Sequence, residues 1–170
     1  MKKIFSTVVL ICAALAAMAQ VRVATPNIEL ILNAEPGQEL QIAYFGGRLA
    51  DGDLANLQAA GAPNHNAYPP YGFHCPSEAS LAVTHMDGNM STVLKVESVS
   101  QADEPSAKVT RILLKDTVYP LYVTVCYRAY QDVDMIETWT EIENLEKKPV
   151  KLTRFDSGYL PVRVGDVWIS

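Results

Sequence analysis

The sequence is poor in cysteine, histidine and tryptophan, with three, three and two among its 170 residues. So few cysteines exclude a miniature domain built on disulfides, and the histidines show no His-Glu-x-x-His or paired Cys-x-x-Cys spacing that would direct ligands to one metal. The chain also lacks the Gly-x-Ser-x-Gly turn, the glycine-rich phosphate loop and the dinucleotide fingerprint. We therefore expect no metal site and no cofactor.

Long apolar runs are absent except for Ile4–Leu15, which is too short to span a bilayer as a stable anchor. Lys2 and Lys3 precede this run and Ala-Met-Ala follows at 17–19, which is the pattern of a secretory signal peptide. We expect a signal peptide at 1–19 and a mature domain at 20–170 that is exported, to the periplasm or the medium, without membrane association after cleavage. A retained or lipidated anchor is the alternative.

Positive charge is scarce in the mature chain, where twelve basic residues face nineteen acidic ones and the net charge is −7. An acidic chain without a basic cluster argues against nucleic acid and anionic membranes as partners. The 151 mature residues suit one domain. Its cysteines, Cys75 and Cys126, could pair after export or remain buried thiols, and the residues leave both alternatives open.

Short runs with alternating apolar and polar residues dominate the mature chain, separated by turn residues such as Gly46-Gly47. Nine such runs without crossover helices predict an all-β fold, an antiparallel β-sandwich, with no substantial helix apart from the signal peptide. One helical turn is expected at Leu54–Ala60, with Asp53 as its cap. The predicted strands are Ile28–Leu32, Leu40–Phe45, Leu81–His85, Thr92–Val99, Val109–Leu114, Leu121–Tyr130, Met135–Glu143, Val150–Phe155 and Leu160–Val164.

The clearest hairpin joins Leu121–Tyr130 to Met135–Asn144 through the four-residue loop Gln131–Asp134. A five-residue loop would reverse the faces and set apolar side chains against carboxylates, so the residue pattern favours the shorter loop. The pairs that it predicts on the polar face are Tyr130 with Met135, Arg128 with Glu137, Cys126 with Trp139, Thr124 with Glu141 and Tyr122 with Glu143.

Glu137, Trp139, Glu141 and Glu143 share one face of this hairpin, because successive strand residues point to opposite sides. Three carboxylates and an indole suggest a sugar-cleaving cleft, where two acids stand roughly 5 to 9.5 Å apart across the scissile bond. Carboxylates along one strand are spaced at about 6.6 Å but point the same way, so they cannot flank a sugar. We interpret them as a solvated or interdomain face, on which Trp139 packs or contacts carbohydrate.

Three segments carry a more specific signal. Ile42–Leu49 has a strand ending in a Tyr-Phe-Gly turn, and Glu78–Thr92 has a strand, an Asp-Gly turn and a second strand. Leu113–Pro161 has, in order, a Lys-Asp opening, Tyr-Pro, the hairpin with its Trp-Thr-Glu-Ile-x-Asn run, and a Ser-Gly-Tyr-Leu-Pro ending. Together they resemble the N-terminal domain of the α-galactosidases of glycoside hydrolase family 36.

The resemblance implies an antiparallel β-supersandwich placed before a (β/α)₈ barrel. In that family the barrel carries both catalytic aspartates, which hydrolyse terminal α-galactosides with retention through a covalent intermediate. This chain ends at Val167–Ser170, before any barrel. We therefore expect a fragment with no catalytic residue of its own, whose partners are its own barrel and an α-galactoside.

The segment Ala62–Pro76 is the expected place of sugar contact, since a long loop with four prolines and three aromatic rings is either functional or a packed cover. Many family members carry an Asp-x-Arg pair where this chain has Cys75-Pro76-Ser77. We retain Tyr68, Tyr71 and His74 as carbohydrate-binding candidates, because aromatic faces pack on sugar C–H surfaces. The alternatives are that these rings only pin the loop, and that the chain is a free-standing carbohydrate-binding or cell-surface interaction module. A homo-oligomer is left open.

Overall fold

The computed structural model of the protein describes residues 20–50, 52–53, 55–56, 65–72 and 78–161. The expected signal peptide, His74, Cys75 and most of the expected helical turn lie outside the described residues. The strands within that part of the chain are β1 (Gln20–Ala24), β2 (Ile28–Asn33), β3 (Gln41–Gly47), β4 (His65–Asn66), β5 (Leu81–Thr84), β6 (Leu94–Glu104), β7 (Ala107–Asp116), β8 (Leu121–Tyr130), β9 (Ile136–Asn144) and β10 (Lys151–Phe155).

The strands form an antiparallel sandwich, as the residue pattern predicts. One sheet has the order β1-β2-β3-β4 and the other β6-β7-β8-β9, while β5 and β10 form a two-stranded ribbon. A bridge between Pro70 and Leu81 places the ribbon beside the first sheet. The part of the chain that the structure describes has no helix long and apolar enough to cross a membrane.

The core lies between the two layers and is filled by alternate residues of each strand. Leu32 of the first sheet, Val83 of the ribbon and Val123 and Val125 of the second sheet are all 0 % exposed and belong to one cluster. Burying an aliphatic side chain of this size stabilises the fold by about 1.5–3 kcal/mol. The period of two along the strands therefore determines which residues hold the layers together.

The predicted hairpin register is confirmed. β8 pairs with β9 so that Arg128 faces Glu137 and Cys126 faces Trp139, and the N–H of Tyr130 donates to the carbonyl of Met135 at 3.1 Å. The apolar face of β8 is thereby directed at the core along its whole length. One loop length thus decides the surroundings of every side chain in the hairpin.

The prediction of a turn at Gly46-Gly47 is wrong. β3 continues through both residues, which pair with Glu29 and Ile28 of β2. The Tyr44 side chain folds back over Gly46, and its hydroxyl donates to the carbonyl of Gly47 at 2.8 Å. A Cβ at 46 would lie 2.5 Å from the hydroxyl oxygen of Tyr44, so a larger residue there would displace this side chain. β1 and the short β4 were not predicted, and Leu160 and Pro161 are not in a strand.

Asp134 in the β8–β9 loop joins the two sheets. Its carboxylate accepts hydrogen bonds from the Thr25 hydroxyl, the Asn27 backbone N–H and the Asn27 side-chain amide, each at 2.8 Å. These bonds favour the ionised form and hold the pKa of Asp134 below its ordinary value, with the Asn27 amide as the largest cause. The hairpin loop is thereby fixed to the β1–β2 turn.

We predict that Asp134→Ala lowers the melting temperature by several degrees at neutral pH, whereas Asp132→Ala in the same loop leaves it unchanged. Because the pKa of Asp134 is lower in the folded chain, its contribution is complete above about pH 5 and is lost as the pH falls through the folded pKa. Thermal melting from pH 7 to pH 2 checks this. A gap between variant and wild type that does not narrow in acid would contradict it.

Candidate functional site

The acidic face of β9 lies on the outer side of the second sheet, away from the core. Arg111 donates to Glu141 at 2.6 Å, and Arg128 donates to Glu137 at 2.8 Å and to Glu104 at 3.1 Å. The Arg111 bond and then the Trp139 bond lower the pKa of Glu141. Because that carboxylate is ionised at neutral pH, it has no proton to give to a leaving group.

Trp139 is embedded in the same layer of charges. Its Nε1–H donates to Glu141 at 3.1 Å, and the guanidinium carbons of Arg128 and Arg111 lie 5.1 and 5.6 Å from the indole ring centre. Its cross-strand neighbour Cys126 is 0 % exposed although it lies on the outer face, and burial raises the pKa of this free thiol to about 11. The face is a packed polar layer, and Cys126 is a poor nucleophile.

The candidate loop separates its two described aromatic residues. Tyr68 is 1 % exposed, belongs to the core and donates its hydroxyl to the carbonyl of Asp156 at 3.0 Å. Tyr71 is 50 % exposed, while His74 lies outside the described residues. Tyr68 thus pins the loop to the sandwich, and Tyr71 is the one of the two whose ring can reach a ligand.

Tyr71 is held by backbone contacts on both sides. Its N–H donates to the carbonyl of Leu81 at 2.8 Å, and its carbonyl accepts from the N–H of Thr92 at 3.2 Å. Gly72 follows with φ +90°, and a Cβ there would lie 2.8 Å from the Cα of Ser91. This close approach and the left-handed φ both require glycine. The Tyr71 ring is therefore displayed from a fixed backbone beside the β5–β6 loop.

A buried histidine, His85, begins that loop. The two ring nitrogens of His85 are 2.8 Å from a Glu146 carboxylate oxygen and 3.1 Å from the Thr92 hydroxyl, and its ring stacks on Tyr119 at 3.7 Å. The sequence places these residues in three separate loops, so their meeting could not be predicted. His85 is fully engaged, and the described residues contain no group of three side chains placed to hold a metal.

An apolar cleft of about 290 Å³ opens between the layers at the start of β9. Two of its lining residues, Phe45 and Leu160, are 47 % and 44 % exposed. With few polar groups, it suits an apolar side chain better than a sugar. The lining residues are Ile28, Leu30, Phe45, Tyr127, Ile136, Thr138, Ser157, Gly158, Tyr159 and Leu160.

Residues 38–170 match the family model described as the glycosyl hydrolase family 36 N-terminal domain. The chain belongs to this family. The three segments of this chain that resemble the family, including the whole β8–β9 hairpin, fall within the match. No curated protein sequence matches the chain.

Solved structures of α-galactosidases share the fold of the family 36 domain. The GH36 α-galactosidase AgaA from Geobacillus stearothermophilus has 18 % identity and a TM-score of 0.69, over 82 % of this chain and 24 % of that one. AgaB from the same organism has 20 % identity and a TM-score of 0.67, over 82 % and 23 %. The α-galactosidase from Lactobacillus brevis has 15 % identity and a TM-score of 0.69, over 85 % and 24 %. The chain spans about a quarter of their length.

We predict that Trp139→Ala destabilises the domain by about 1–2 kcal/mol, because it removes two cation–π contacts of roughly 0.5–1 kcal/mol each. Glu143→Gln on the same face is the control and should have little effect. Thermal melting measures the loss, and calorimetric titration with galactose measures sugar binding. Galactose binding that disappears in Trp139→Ala at an unchanged melting temperature would refute this role.

We predict opposite consequences for the two loop tyrosines. Tyr68→Ala should cost about 3–5 kcal/mol, because it empties a core position. Tyr71→Ala should change stability by less than about 0.5 kcal/mol, as exposed substitutions do, and raise KM for an α-galactoside several-fold in a galactosidase that contains this domain. Urea unfolding and steady-state kinetics distinguish these outcomes. An unchanged KM in Tyr71→Ala would remove Tyr71 from the sugar-binding candidates.

Proposed function

We propose that this chain is the accessory β-sandwich of an exported α-galactosidase, which hydrolyses terminal α-galactosides with retention in a separate catalytic barrel. The supporting observation is the family match over residues 38–170 combined with a fold shared with α-galactosidases four times as long. The domain positions the barrel and borders its entrance with Tyr71. The signal-peptide pattern at 1–19 supports export.

The arrangement of the β9 carboxylates supports our proposal that glycoside hydrolysis takes place in the barrel and not on this sheet. A retaining glycosidase needs two carboxyl groups about 5–5.5 Å apart on opposite sides of the scissile bond, one of them protonated before bond cleavage. Glu137 and Glu141 lie on one strand face with Trp139 between them, and each forms an ion pair with an arginine of the same sheet. This geometry favours a structural role for the two glutamates.

A free-standing carbohydrate-binding module is the second candidate. The observation in its favour is the half-exposed Tyr71 ring on a fixed backbone. Reading the coding frame beyond Ser170 separates the two functions: several hundred further codons with alternating strands and helices support the galactosidase domain, whereas a stop codon supports the module.

We predict that the purified chain does not hydrolyse a chromogenic α-galactoside, because the acid pair is supplied by the barrel. Release of nitrophenol from p-nitrophenyl α-galactoside at micromolar chain concentration is the measurement, with a complete family 36 α-galactosidase as the positive control. Glu137→Gln should leave the rate at background. Robust turnover that Glu137→Gln abolishes would overturn the proposed function.

A further inference from the structure

The segment that follows the β9–β10 loop passes beneath β9 and leaves apolar side chains uncovered. The hydroxyls of Thr138 and Thr140 in β9 donate to the carbonyls of Ser157 and Asp156, each at 3.0 Å, so residues 156–157 run antiparallel to β9 in the opposite layer. Three residues of this segment form what we name the apolar strip. They are Leu152, Phe155 and Leu160, at 38 %, 64 % and 44 % exposed.

Strand register shows that two members of the apolar strip point towards the core side. Phe155 pairs with Leu81 and Leu152 pairs with Val83, and antiparallel partners lie on the same face of a sheet. A bulge between Leu152 and Arg154 brings these two residues, which are three apart in the chain, to one face. Leu81 and Val83 are both 0 % exposed, whereas Phe155 is mostly exposed. A residue on an inward face is exposed when the opposite sheet does not extend far enough to cover it. Within the described residues, the second sheet has β9 as its edge strand.

β9 has the properties of a strand that accepts another. Its nine residues extend over roughly 30 Å, and among the described residues its one partner is β8. The backbone N–H and C=O groups of such an edge are a template for a further strand. A strand added there would also lie above the apolar strip, so one segment would complete both the hydrogen-bond ladder and the core.

We propose that the β9 edge and the apolar strip bind one further β-strand, with apolar side chains facing inwards and basic side chains facing outwards, supplied by the rest of the α-galactosidase polypeptide. This inference rests on the proposed function. The α-galactosidases that share the fold are about four times as long as this chain, so a family 36 enzyme has further polypeptide to supply the strand.

Charge selects this occupant over a second copy of the chain. The outer face of β9 carries Glu137, Glu141 and Glu143, and Glu143 has Tyr122 rather than a basic residue as its cross-strand partner. Glu137 and Glu141 are ion-paired with Arg128 and Arg111, so the carboxylate without a basic neighbour among the described residues is Glu143. Pairing β9 with β9 of another copy would place three further glutamates beside this face, and like charges opposite each other destabilise a sheet. Lysine or arginine on the outer face of the added strand would instead complement them.

The test compares Phe155→Ser with Val118→Ser in the complete galactosidase and in this chain alone. Val118 is 73 % exposed on the β7–β8 loop and is not a member of the apolar strip, so it controls for loss of an exposed apolar residue. We expect Phe155→Ser to lower the melting temperature of the enzyme by several degrees. Val118→Ser should melt at the wild-type temperature. Hydrogen exchange of β9 amides should be at least tenfold slower in the enzyme than in the chain.

A second probe uses this chain alone: a seven-residue peptide of alternating valine and lysine should slow β9 amide exchange, and a valine–glutamate peptide should not. The proposal is overturned if β9 amides exchange at the same rate in the enzyme, in the chain alone and in the chain with the valine–lysine peptide. It is also overturned if Phe155→Ser and Val118→Ser have the same melting temperature in the enzyme. A third contrary result would be a chain that forms dimers in sedimentation and has protected β9 amides only in those dimers. These readouts do not depend on turnover, so failure of the galactosidase assignment would be seen separately in the hydrolysis assay.

Discussion

The register of β8 between β7 and β9 is the constraint on which the rest of the structure depends. Val123 and Val125 enter the core while Cys126 lies on the outer face beneath Trp139, so β8 is buried on both sides. A shift of one residue would exchange the two faces of a strand, turning the valines of β8 towards solvent or the glutamates of β9 towards the core. The cost of burying unpaired carboxylates excludes that alternative.

This register also accounts for the acidic face that first suggested catalysis. Arg128 faces Glu137 and Arg111 reaches Glu141 across β8, so these two carboxylates each have a cation within hydrogen-bond distance. Trp139 lies against both guanidinium groups. The indole and the two ion pairs therefore form a polar layer that covers Cys126. The same hairpin brings Asp134 to the β1–β2 turn, so one register fixes the polar layer, the core and the contact between sheets.

The two features that we propose as functional lie at the borders of this chain rather than on its sheet faces. Tyr71 is displayed at the loop end, and the apolar strip is exposed along the β9 side. The first is a half-exposed ring on a fixed backbone, and the second is a strand edge beside uncovered apolar residues, and our proposals assign a ligand to the first and a further strand to the second. The sandwich supplies the rigidity that both need.

The sequence by itself determined the antiparallel fold, most strand bounds and the β8–β9 pairs, because a period of two and a four-residue loop are local properties. It also determined the family, through segments that keep their order. Only the tertiary structure decided that Gly46-Gly47 continues a strand, that Tyr68 is buried while Tyr71 is exposed, and that His85 meets Glu146. These outcomes depend on which distant segments pack together, and no local pattern records that.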